Sequence, residues 1–143
     1  NLAGIKYTYE PLYEYNQCML YNNGKYDMLY GLDETILNAL VMGGARGGIS
    51  GTGSYIGKVL VGIIDEYHKG NIAKAAELQN YAQDVIDIIC HFRGNIVGGK
   101  RIMKLIGLDL GKNRTPFQNV TDEEELQLKK ELEAINFFEH CNK

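Results

Sequence analysis

The residue best placed for covalent chemistry is Lys6, set in the apolar opening run NLAGIKYT, residues 1–8. Read as a strand, this run puts Lys6 on one face with Gly4 and Thr8, and Ile5 and Tyr7 on the other. Burying an ammonium without a partner costs several kcal/mol, and the usual relief is a pKa that falls from about 10.4 until the amine is neutral. A neutral lysine is a nucleophile that adds to a ketone, and the protonated Schiff base withdraws electrons from the neighbouring carbon. A second reading stays open, in which Lys6 snorkels from a strand end to solvent.

A further group of polar residues follows the run at 26–30: Gly31, Asp33 and Glu34. Ionised carboxylates only accept hydrogen bonds, and the vicinal hydroxyls of a polyol are donors that such a pair can grip. Asp33 can equally cap a helix that opens behind it, and Glu34 can serve as a first-turn acid; the roles are compatible. The glycine-rich stretch GGARGGISGTGS, residues 43–54, invites a nucleotide reading. It departs from a P-loop, since Val59 follows Gly57 and Lys58 where Ser or Thr is needed, and no acid-tipped strand follows as a dinucleotide site requires. Small residues there let a helix sit tightly on a strand and let a ligand approach the backbone.

The elements that must carry these residues alternate. After the first strand, 10–21 reads as a helix with Pro11 in its opening turn, stopped by Asn22, Asn23 and Gly24. Residues 26–30 form strand two. A helix capped by Asp33 carries Ile36, Leu37, Leu40 and Val41, and 45–50 is a short third strand. Such alternation implies an α/β fold with a parallel sheet. From Ser54 the pattern is helical: 54–67, then a long helix from an Asn71 cap with a stripe from Ala75 to Ile89, then 96–106. A loop covers 107–118, and Thr121 with Glu124 makes a capping box for a last helix burying Leu128, Leu132, Ile135 and Phe138. Three parallel strands alone leave edges unpaired, so the chain reads as part of a larger fold.

At 143 residues and 45% hydrophobic composition the chain suits one domain with a real core. A net charge of −3 with fifteen scattered Lys and Arg offers no footprint for nucleic acid or an anionic membrane. No apolar run reaches the roughly 20 residues of a membrane helix, and the amino terminus lacks the zones of a signal peptide. Cys18, Cys90 and Cys141 are unpaired by spacing, and His68, His91 and His140 stand apart. A reduced, cytoplasmic setting without a metal site is the expectation.

GIKYT with its lysine, GLDE after strand two, GGISGT after strand three, and the later HFRG and NRTPF together closely resemble the N-acetylneuraminate lyase branch of the pyruvate-dependent class I aldolases, a family that includes dihydrodipicolinate synthase. The resemblance implies the C-terminal part of a TIM (β/α)8 barrel, strands six to eight in residues 1–70, with a C-terminal helical extension in 71–143. It implies Lys6 as the Schiff-base lysine, Thr8 as the hydroxyl beside it, and Gly31, Asp33 and Glu34 as contacts to a sugar's hydroxylated tail. Ser50 is a further contact, one position before the serine that sialate-cleaving relatives often carry where this chain has Gly51. The family's carboxylate-binding loop and catalytic tyrosine have no match here, which makes the N-terminal half of the barrel a required partner. The implied activity is cleavage of N-acetylneuraminate to pyruvate and N-acetylmannosamine, without cofactor or metal, in a homotetramer. The alternatives are a synthase or 2-keto-3-deoxy sugar acid aldolase using the same pyruvate imine, and a non-catalytic sugar-binding barrel. The glutamate of GLDE favours the sialate branch.

Overall fold

The computed structural model describes residues 1–142. Its sheet is a parallel pair: β1 (Gly4–Tyr7) runs beside β2 (Asp27–Tyr30) in the register Gly4↔Asp27 to Tyr7↔Tyr30. Parallel strands need a crossover, which α1 (Leu12–Leu20) supplies, entered through Pro11 and left through Asn22, Asn23 and Gly24, all at positive φ. The expected alternation of faces holds at Lys6 and Tyr7, while Ile5, expected to pack with Tyr7, is exposed. Tyr7, Met28 and Tyr30 are buried against helices, whereas Lys6 lies on the opposite face.

Tyr15 of α1 fastens the helix to that packed face. Its ring lies 5.2 Å from those of both Tyr7 and Tyr30, and its hydroxyl donates to the Met28 carbonyl at 2.8 Å. Burial pushes the Tyr15 hydroxyl up to about 12, so it stays a donor at neutral pH.

The expected third strand at 45–50 shrinks to one parallel bridge, Tyr30↔Gly48, with Tyr30 N–H donating to Gly47 O at 3.0 Å and Ile49 N–H to Tyr30 O at 2.9 Å. Glycine weakens extended structure, and nothing among the described residues pairs on the far side.

Seven helices are described. After a 3₁₀ turn at Asp33–Thr35 comes α2 (Ile36–Gly43), then α3 (Gly53–His68) and α4 (Ile72–His91), a hairpin joined by a short turn. A π turn at Asn95–Gly99 leads into α5 (Lys100–Leu105), where one longer helix was expected. The last two are α6 (Asp122–Ala134) and α7 (Phe137–His140). Buried residues from β1 to Cys141 form a single apolar cluster.

Asn71 does not cap α4. Its side-chain N–H donates instead to Glu66 Oε2 on the preceding helix at 2.8 Å, which holds the carboxamide there, and its oxygen accepts from no α4 amide. The box at α6 forms as expected, with Glu124 N–H donating to Thr121 Oγ1 at 3.2 Å and Thr121 N–H to Glu124 Oε2 at 2.8 Å. Arg93 of HFRG grips the same carboxylate from α4's end, at 2.8 and 2.6 Å. The Arg93 guanidinium, with the Thr121 N–H, holds Glu124 down to about 2. No helix among the described residues is long and apolar enough to cross a membrane.

Candidate active site

Lys6, Thr8 and Gly31 meet at the C-terminal ends of β1 and β2, the end at which parallel α/β sheets carry their ligands. Gly31 N–H extends the ladder by donating to Tyr7 O at 2.8 Å. A Cβ on Gly31 would sit 2.6 Å from Lys6 Cε and run into Thr8 Oγ1. The lysine stem therefore crosses a space that only glycine leaves open.

Burial of Lys6 was the first expectation, and in this chain it is exposed. The reason is the sheet's two faces: the helices cover the one bearing Tyr7 and Tyr30, and Lys6 projects from the other, which the described residues leave uncovered.

Asp33 is buried and does not cap α2, whose N-cap shows no side-chain bond. Its Oδ2 turns instead across to the glycine-rich turn, accepting from Ser50 Oγ at 2.7 Å, Thr52 N–H at 3.0 Å and Thr52 Oγ1 at 2.7 Å. Ser50 Oγ in turn accepts from Gly53 N–H at 2.6 Å. Asp33 and Ser50 are thus brought together as a clasp between the ends of β2 and the third extended segment, and the Ser50 proton is spent on Asp33.

Glu34 is half-buried, and its carboxylate has no hydrogen-bond partner among the described residues. It lines a 230 Å³ cavity with Glu10, Leu12, Tyr30 and Asn38. A carboxylate left free beside apolar walls is suited to accept hydroxyl protons of a ligand.

Sequence reasoning missed the residues that hold this acidic turn from behind. Gln79, buried on α4, donates to Asp33 O and accepts from Leu37 N–H, both at 3.0 Å. One turn on, Gln83 donates to Glu34 O at 2.7 Å. Two amides four residues apart, interleaved with the apolar stripe at Ala75 and Ala82, were the available signal. Thr52, with both its hydroxyl and its N–H on Asp33, was missed as well.

Residues 1–135 match the Dihydrodipicolinate synthetase family. The chain belongs to that family. It is 30% identical over 136 residues to the N-acetylneuraminate lyase of Mus musculus, a match covering 94% of this chain and 42% of the mouse protein. The solved N-acetylneuraminate lyase (sialic acid aldolase) of Aliivibrio salmonicida superimposes with a TM-score of 0.91 at 29% identity, over 99% of this chain and 47% of that one. A 2-keto-3-deoxygluconate aldolase of Sulfolobus solfataricus gives a TM-score of 0.85 at 27% identity, over 94% of this chain and 45% of that one. These neighbours are TIM-barrel aldolases, and the chain spans less than half their length. Within a Dihydrodipicolinate synthetase family barrel, the uncovered Lys6 face of β1 and β2 corresponds to the inward side, because the helices occupy the outward one.

Proposed function

We propose that this chain is the C-terminal part of a Schiff-base lyase of the Dihydrodipicolinate synthetase family, with strands six to eight in residues 1–70 and a helical extension in 71–143, and that the complete protein cleaves N-acetylneuraminate to pyruvate and N-acetylmannosamine. The observation that carries the reading is the packing of Gly31 against the Lys6 stem and the Thr8 hydroxyl. It draws the Lys6 stem and the Thr8 hydroxyl together beside one glycine, so that a primary amine and a hydroxyl share the face that the helices do not cover.

The chemistry follows from the amine. Unprotonated Lys6 Nζ adds to the C2 ketone of the open-chain sugar, and loss of water leaves a protonated imine. As the C3–C4 bond breaks, its electron pair moves into the imine to give an enamine, and the C4 hydroxyl becomes the aldehyde by giving its proton to a base supplied by the rest of the barrel, which returns it to C3. Protonation of the enamine at C3 and hydrolysis release pyruvate and free the lysine. For this role the amine has to have given up its proton before it meets the ketone. Borohydride trapping of pyruvate on the complete protein tests it: the expected result is one stable adduct, on the peptide bearing Lys6. Labelling of another lysine would overturn the assignment.

A second reading, cleavage of a 2-keto-3-deoxy sugar acid by the same imine, is favoured by the likeness to the 2-keto-3-deoxygluconate aldolase structure. The two differ at the aldehyde end, where Glu34 supplies the free carboxylate. Glu34→Gln is expected to lower kcat/KM for N-acetylneuraminate by about one to two decades, since hydrogen bonds to a charged group are worth about 1.5 to 3 kcal/mol. A short aldehyde without hydroxyls should be used almost as before. Comparing pyruvate condensation with N-acetylmannosamine and with glyceraldehyde separates the two readings.

A further inference from the structure

Asn95 opens the π turn that follows α4, where Arg93 and Gly94 at positive φ swing the chain back over the end of α3. Tyr55, buried in the first turn of α3, donates its hydroxyl to Asn95 Oδ1 at 2.6 Å. Burial pushes the Tyr55 hydroxyl well above its ordinary value, so it remains a donor and commits the amide oxygen as acceptor. The other end of the carboxamide, Nδ2, is thereby aimed at Gly51. A Cβ on Gly51 would lie 2.7 Å from Asn95 Nδ2, inside the space that the amide occupies.

Asn95 is exposed, and its Nδ2 has no acceptor among the described residues. An amide fixed at one end by a buried tyrosine, with its donor end free, is aimed without being used. Its position matters because Gly51 directly follows Ser50, which Asp33 clasps, so the donor stands on the rim that Asp33 and Glu34 begin. The carboxylates of that rim only accept, whereas a polyol hydroxyl both donates and accepts, and its lone pairs need a donor.

We propose that Asn95 is a specificity-determining residue, donating a hydrogen bond from Nδ2 through the gap at Gly51 to a hydroxyl of the substrate's polyhydroxylated end. The proposal rests on the lyase reading above and adds to it the donor that complements Glu34. It needs no movement of the turn, because Tyr55 holds the carboxamide in place without ligand.

The test uses the complete protein and two aldehydes condensed with pyruvate: N-acetylmannosamine, and propanal, which has no hydroxyls. Asn95→Asp keeps an acceptor for Tyr55 and removes the donor. The expected result is a loss of about threefold to tenfold in kcat/KM for N-acetylmannosamine, no change for propanal, and an unaltered borohydride-trapped pyruvate adduct. Gly51→Ala, which displaces the carboxamide from an exposed turn, should give the same selective loss at an unchanged melting temperature. An equal loss on both aldehydes, or no loss on either in both variants, would overturn the proposal. Absence of any pyruvate adduct in the unsubstituted protein would instead overturn the lyase reading on which it stands.

Discussion

Asp33 and Lys6 belong to neighbouring strand ends, yet one is finished within this chain and the other is bare. Asp33 is buried, accepts three hydrogen bonds, and is backed by Gln79 through its own carbonyl. Lys6 is exposed on the face opposite the helices, fixed only by its stem passing Gly31. The difference separates two jobs. A clasp that sets the shape of the rim can be completed by contiguous chain, whereas a side chain on the face opposite the helices is covered only by the rest of a barrel.

The comparison breaks most severely at Lys6. Lys6→Ala is expected to reduce turnover of the complete protein below detection while changing its melting temperature little, because the side chain is exposed in the described residues and touches them only along its stem at Gly31. Lys6→Arg should not restore activity, since a guanidinium stays protonated and is not a nucleophile. An active alanine variant, measured by pyruvate release, would remove Lys6 from the chemistry.

At Asp33 the expected loss is of stability first. Asp33→Ala leaves Ser50 Oγ, Thr52 Oγ1 and Thr52 N–H without their acceptor, two of them buried, and should destabilise the complete protein by about 3 kcal/mol in urea unfolding. A variant of native stability would mean the turn at 50–53 holds its shape without the clasp.

Gly31→Ala probes the contact between the two regions. The added methyl displaces the Lys6 stem by about 1 Å, and misplacement on that scale costs on the order of 100-fold in rate. The loss should fall on imine formation, read as the rate of borohydride-trapped adduct. Turnover unchanged within twofold would show that the lysine stem moves aside freely.

What was legible in the sequence divides along the same line. The capping box at Thr121 and Glu124 and the alternation that sets Lys6 against Tyr7 are written in residues three positions or fewer apart, and both appear as read. The Asp33 and Asn71 caps were equally local patterns, but each side chain found a better acceptor or donor across a turn: the hydroxyls at Ser50 and Thr52 for one, Glu66 for the other. Gln79 was unreadable for a related reason, since a polar residue beside an apolar stripe looks solvated until the carbonyl it serves, forty-six positions away, is placed against it. The five motifs that pointed to the barrel aldolases were a different kind of signal. Their order along the chain holds, and the family match spans residues 1–135. Lys6 is exposed here because no described residue covers its face, and an apolar flank along the chain does not report whether a face is covered.

The smallest effect is expected far from the rim, where the Arg93–Glu124 pair joins the end of α4 to the start of α6. Glu124 is held down to about 2 in the folded protein, from an ordinary value of 4.5. A carboxylate with a depressed folded pKa adds stability above its unfolded pKa and loses that contribution as pH falls towards the folded one. Between about pH 4.5 and 2, then, the pair and the capping box should weaken together, first seen as loss of amide protection in the opening turn of α6. The two side chains are 33% and 36% exposed and solvent screens them, so the change should be local and smaller in high salt. Glu124→Gln should flatten this pH dependence, because the amide keeps a carbonyl acceptor for the Thr121 N–H and has no charge to lose. A pH profile of α6 protection identical in the two proteins would place the acid sensitivity elsewhere, and would leave Arg93 joining the helices through the Asn119 carbonyl, which it also reaches at 3.3 Å.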